Sequence, residues 1–210
     1  RVTGKGNLSV VPDVTRLIFS LKRLEKQYDA ALQGSSDDTE ELKSALEQVG
    51  FERKDIKTLK FNVETVYEDV RNSFGNWRQS FKGYRVSHSL KVEFPSDKVR
   101  VGKILQAVSH CAASPEIRIE YTISDPEAAK NKLLAKAVAD SKAKAAILTE
   151  VAGVSLGEII TVDYSWGEID FVSDPLNEFR SLPAQKGICS LDIEPDDIDV
   201  TDTVTVIWQI

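Results

Sequence analysis

Two runs of strict alternation constrain this fold more than any other feature of the chain. Leu59, Phe61, Val63, Thr65 and Tyr67 alternate with Thr58, Lys60, Asn62 and Glu64; Tyr84, Val86, His88, Leu90, Val92 and Phe94 alternate with Arg85, Ser87, Ser89, Lys91 and Glu93. A side-chain period of two describes a strand with one face against a core and the other in water. Two such strands in succession imply an antiparallel sheet whose apolar face needs helices laid over it. The connection between them, 68–83, is longer than the roughly two to five residues usual in a hairpin, and reads as a projecting β-arm or a loop. It carries Phe74, Trp77 and Phe81 among Arg71, Asn72, Asn76, Arg78 and Gln79.

The flanking sequence supplies the covering elements. Val2–Val10 reads as a strand in which Gly4 and Gly6 mark a bulge or a close backbone approach. After the Pro12-Asp13 turn, Val14–Leu24 is a second strand with Leu17, Phe19 and Leu21 on one face. From about Gln27 to Val49, the residues Tyr28, Ala31, Leu32, Ser35, Leu42, Leu46 and Val49 recur at helical spacing, with Gly34 a weak point and Gly50 a left-handed cap. A second helix is expected over Lys98–Ala112, and a strand over Ile117–Ile123. Ser124-Asp125-Pro126-Glu127 then opens a third helix, near 126–152, through a capping pattern and a proline in its first turn. Its nine alanines let another element approach closely, while Lys130, Lys132, Lys136, Lys142 and Lys144 hold the other side in water. Strands at Ile160–Trp166 and Val204–Ile210 enclose a long loop, 167–199, that is acidic toward its end. The expected architecture is α+β in the order ββα ββ α β α ββ, one domain over 1–210 with room for two subdomains.

Composition mainly excludes. At 210 residues the chain can bury a sizeable core without metals or disulfides. A net charge of −6 argues against a general nucleic-acid or anionic-membrane binder, and no apolar run reaches the roughly 20 residues of a membrane span. Cys111 and Cys189 are too few for a disulfide framework and are equally consistent with two buried thiols or one bridge. With Arg1 inside a strand and no methionine present, the residues in view bear neither for nor against a signal peptide, and compartment stays open.

Motifs for catalysis are sparse. His88 and His110 are the only histidines, and no metal-ligand spacing accompanies them. On the apolar face of its strand, His88 reads as a sheet histidine with a hydrogen-bond partner; the competing reading is a small-molecule or enzymatic pocket converging on it. His110 and Cys111 are adjacent, so on a helix they point about 100° apart and do not form a nucleophile–base pair. A thiol redox sensor at Cys111 or Cys189 would need an exposed thiol of lowered pKa. The acids Asp192, Glu194, Asp196, Asp197, Asp199 and Asp202 lack the turn glycine of a calcium loop, and Pro195 interrupts them. No catalytic, cofactor-binding or metal-binding residue is assigned. The aromatic connection is the informative feature: Phe74, Trp77 and Phe81 either fold back onto their own sheet or are candidate contacts for self-association, since aromatic and arginine side chains are enriched at interface cores.

Several short stretches, in order along nearly the whole chain, resemble the SIMPL domain family. They are Val2-Thr3-Gly4-Lys5-Gly6, Val11-Pro12-Asp13, Gly50-Phe51 with Asp55-Ile56-Lys57-Thr58, and Lys82-Gly83-Tyr84-Arg85-Val86. Ala135–Ala152 leading into Gly153-Val154-Ser155-Leu156-Gly157-Glu158-Ile159, and the terminal Val204-Thr205-Val206, complete the set. The resemblance implies an α+β fold that assembles into homo-oligomers, with ring- or channel-like assemblies at the envelope among bacterial relatives, often periplasmic. It also implies a link to oxidative-stress defence. It brings no agreed catalytic residues and no cofactor, and the segment 167–199 is longer here than the family leads one to expect.

Overall fold

The computed structural model describes residues 1–71, 77–164, 167, 169–173 and 195–210. Among the described residues, eight strands and three α-helices follow in the order β1 (Val2–Val10), β2 (Val14–Glu25), α1 (Tyr28–Gln48), β3 (Lys57–Arg71), β4 (Trp77–Pro95), α2 (Lys98–Val108), β5 (Glu116–Thr122), α3 (Pro126–Ala152), β6 (Ile159–Asp163), β7 (Val172–Ser173) and β8 (Ile198–Trp208). The strands form a three-stranded sheet, β1-β8-β6, and a five-stranded sheet, β3-β4-β2-β5-β7, so the fold is α+β. Two parts of the expected loop 167–199 are strand instead: β7, and the start of β8 at Ile198. A two-residue strand leaves no periodic trace in sequence, which is why β7 was not expected. Phe74, Trp166 and Cys189 lie outside the described residues.

Two compact units account for the chain. The first comprises Arg1–Val14, Tyr121–Asp174 and Pro195–Ile210. Its centre is α3 lying on β1 and β8. Asp125 caps the helix by accepting from the Ala128 amide at 2.9 Å, Pro126 occupies the first turn, and Gly153 closes the far end at φ 72°. Ala129, Leu133, Ala137, Ser141, Ala145 and Thr149 are its buried residues, one every four positions. Small residues on this stripe let the sheet come very close. A Cβ placed on Gly4 would sit on the Ala137 carbonyl oxygen and the Ser141 amide, and one on Gly6 on the Leu133 carbonyl oxygen. The glycines are therefore required by close approach and not by any bulge. Around this contact, Ile123, Ala129, Leu133, Phe171, Ile198 and Val200 form one cluster, and Ala137, Val204 and Val206 another.

Polar side chains of α3 also reach the outer edge of β1. The Lys5 amide donates to Asp140 Oδ2 at 2.7 Å, Lys136 Nζ donates to the Asn7 carbonyl at 3.1 Å, and Lys144 Nζ lies 3.5 Å from the Thr3 carbonyl. The bonds from Lys144 and from the Lys5 amide hold the Asp140 carboxyl below its usual range. Three outward backbone groups of β1 thereby find partners without another strand.

The second unit contains Thr15–Glu120. Leu17, Phe19 and Leu21 of β2 and Val86, Leu90, Val92 and Phe94 of β4 are all buried, as are Leu42 and Leu46 of α1 and Ile104 of α2. Gly34 has a structural reason within α1: the Arg23 guanidinium occupies the space a Cβ would need, 3.6 Å from Asp38. In β3 the expected alternation of burial fails. Leu59, Phe61 and Tyr67 are 48%, 55% and 56% exposed. The cause is position, because β3 is the edge strand and α1 packs on β4, not on β3.

These contacts predict opposite outcomes for two glycine substitutions. Gly4→Ala forces the backbone of β1 away from α3 and is expected to cost about 2–3 kcal/mol in urea denaturation. Gly102→Ala, in α2 with open space where the Cβ would go, is expected to be neutral or to stabilise by up to about 1 kcal/mol.

Candidate functional site

All the described residues of the 68–83 connection, 68–71 and 77–83, are strand. Pairing between β3 and β4 continues past Glu68↔Ser80 and Asp69↔Gln79 to Arg71↔Trp77, making a two-stranded ribbon beyond the point where α1 covers β4. A register shift between Val66 and Tyr67 leaves Lys82 as the extra residue of a bulge. Its effect is to re-phase the strand, so that Phe81 and Tyr84 meet on one face. The result is an aromatic ladder: Tyr67 and Phe81 rings lie 5.9 Å apart, Phe81 and Tyr84 5.4 Å, and Tyr84 and Tyr28 5.3 Å, all edge to face. Gly83, at φ 152°, is needed here because a Cβ would strike the Glu25 carbonyl of β2. Ion pairs Glu64–Arg85 at 3.0 Å and Glu68–Lys82 at 2.6 Å tie the two strands together. Trp77 is 71% exposed and stands four positions before Phe81, hence on the same face by the period of two.

Of the three expected contacts, Trp77 and Phe81 thus share this face, and Phe74 lies outside the described residues. Leu59, Phe61, Tyr67 and Val70 add exposed apolar surface along the ribbon and its strand. Sequence patterning assigned the β3 aromatics to the core, since alternation reports a face and not whether anything covers it.

His88 faces α1 from β4 and is fully engaged. Thr39 donates its hydroxyl to the Ser35 carbonyl at 2.7 Å, so it must accept from His88 Nδ1–H at 3.0 Å. Nε2 is left as the acceptor for the Thr58 hydroxyl, also at 3.0 Å. Phe61 packs edge to face against the ring at 5.2 Å. Burial, aided by the Lys43 ammonium, holds this imidazole below its ordinary value of 6.5, and the neutral tautomer is the one the hydroxyls fit. His110 bonds the Gln106 carbonyl through Nδ1 at 2.7 Å. Cys111 is buried, and burial together with Glu41 pushes its thiol above the usual range, the opposite of an activated thiolate. Among the described residues no group of three or more His, Cys, Asp or Glu could hold a metal, and no helix is long and apolar enough to cross a membrane.

The SIMPL family model, whose description is a protein of unknown function (DUF541), matches residues 1–208. The chain belongs to the SIMPL family. Among curated proteins this SIMPL chain is similar to the 26 kDa periplasmic immunogenic protein of Brucella melitensis, at 27% identity over 215 residues, covering 100% of this chain and 83% of that protein. The protein of the same name from Brucella abortus is 26% identical over the same share of both chains. Both alignments run across both units of the SIMPL fold, so the likeness is not confined to one of them.

Two measurements check the site chemistry. Because the fold favours neutral His88, its contribution to stability is complete above about pH 6.5 and is lost as pH falls toward the lower folded-state value. Denaturation between about pH 8 and about pH 5 should show stability falling with pH in the wild type and a flatter profile in His88→Gln; equal slopes would remove the imidazole as the source. In a Cys189→Ser background, Cys111 should react with a thiol reagent at least about tenfold more slowly in the native than in the denatured protein.

Proposed function

We propose that this SIMPL protein is a non-enzymatic scaffold that self-associates through the β3–β4 ribbon and serves at the bacterial cell envelope. The observation that carries the reading is the aromatic face of the ribbon. Trp77, Phe81, Tyr67 and Phe61 expose large apolar rings along the β3–β4 pair, with Tyr67 and Phe81 in direct contact, in a chain otherwise rich in charge. Contiguous apolar surface of this kind favours burial against another protein, and aromatic side chains dominate the energetics of such contacts. The cross-strand ion pairs and the Lys82 bulge hold the rings in a fixed array, which lowers the entropy lost on docking. A second copy of the chain is the partner we favour, in keeping with the assemblies that the family resemblance implies. The envelope location is supported by the word periplasmic in the names of the Brucella relatives.

A role in oxidative-stress defence is part of the same proposal, exercised through the assembly and not through a reactive thiol at Cys111. The alternative of a ligand pocket at His88 has less support, because two hydroxyls already occupy both ring nitrogens.

Light scattering over a concentration series tests the reading. The expected result is a stable multiple of the 23.3 kDa chain mass. Trp77→Ser combined with Phe81→Ser should reduce that mass while leaving the far-ultraviolet circular dichroism unchanged. A monomer at every concentration, or an unaltered multimer in the double variant, would overturn it.

A further inference from the structure

A second surface of the Thr15–Glu120 unit has the chemistry of a receptor. Between the C-terminal turn of α1 and the exposed side of α2 runs an open groove of about 640 Å³, within the roughly 300–1,000 Å³ range of ligand sites. Arg100, Lys103 and His110 line one wall with Gln106; Gln48 and Gly50 line the other. Among the described residues no carboxylate lines it, although the whole chain carries a charge of −6.

Arg100 is the distinctive member. Its guanidinium carbon lies 4.6 Å from the centre of the Phe51 ring and 5.0 Å from that of Phe94. The two rings themselves meet edge to face at 5.7 Å. Aromatic contact fixes the guanidinium without consuming its N–H donors, and no carboxylate of the described residues pairs with it. The head group is therefore oriented in advance, with its hydrogen-bonding capacity intact. Lys103 continues the cationic wall one turn along α2, and His110 follows in the turn two residues past the helix end, about 15 Å from Arg100 when the helical rise is continued. Facing them, the last turn of α1 has its Leu46 and Glu47 carbonyls taken by the amides of Val49, Gly50 and Phe51, so that wall presents the neutral Gln48 beside Gly50.

One wall offers cationic donors and the other only uncharged groups, so the matching ligand carries carboxylates on one side and an uncharged polar edge on the other. An extended chain rises about 3.3 Å per residue, so about five residues span the groove. We propose that this groove binds an acidic peptide segment in extended conformation, with carboxylates on Arg100 and Lys103 and the chain running on past His110. The proposal does not depend on the aromatic ribbon, which lies on other elements.

Fluorescence anisotropy with labelled, end-blocked pentaglutamate, its pentaglutamine counterpart and inorganic phosphate as competitor tests this directly. The expected result is salt-sensitive binding of pentaglutamate, with pentaglutamine weaker by at least about tenfold. Lys103→Gln combined with His110→Gln alters only exposed side chains and should weaken pentaglutamate binding by a similar factor. Arg100→Lys should weaken it too, since a lysine keeps the charge but loses the stacked planar fork. Equal binding of the two peptides, or unchanged affinity in the Lys103/His110 variant, would overturn the proposal. Displacement by phosphate at an affinity equal to that of pentaglutamate would also overturn it, by reducing the groove to a single-anion site.

Discussion

The contact of α3 with β1 is the constraint on which the first unit rests. An α-helix ordinarily stands some 10 Å from a sheet because side chains fill the gap. Here Gly4 and Gly6 remove the side chains on one surface, and Ala137 and Ser141 keep them small on the other. Backbone then meets backbone, and the gain is dispersion over a long line of atoms instead of a few large hydrophobes. Such an interface tolerates almost no added volume. It explains why the stripe is poor in leucine and isoleucine although the helix runs for 27 residues.

The second unit solves the opposite problem. Its core is conventional, with large aliphatic and aromatic residues from β2, β4, α1 and α2. Its β3–β4 pair, however, outruns the helix that covers it, and the apolar face continues past the end of that cover. A bulge, one glycine and two ion pairs then keep the extension regular. Surface ion pairs contribute only about 0–1 kcal/mol each, so their value here is in register more than in stability. The same unit sets the Arg100 guanidinium over two phenyl rings, a second place where order is imposed on polar chemistry at the surface.

Much of this was legible in the chain itself, and the exceptions have physical causes. Period-two runs located β3, β4 and β5, and the Asp125-Pro126 start and Gly153 stop bounded α3, because these signals are local. Gly4 and Gly6 announced a close approach without naming what approaches, since the partner helix is about 130 residues away. His88 was readable as a bonded sheet histidine, but its two threonine partners come from α1 and β3. The burial of β3 was misread because alternation is blind to strand order. Likewise the pairing of Phe81 with Tyr84 depends on a bulge that odd spacing alone would have placed on opposite faces. Arg100 carried no motif at all, its setting being assembled by Phe51 and Phe94 from outside α2.

The lysines and Asp140 that reach over the rim of β1 bear on growth as well as stability. A strand joining at that rim would first have to displace three side chains of α3, so lateral growth of the small sheet through β1 is disfavoured.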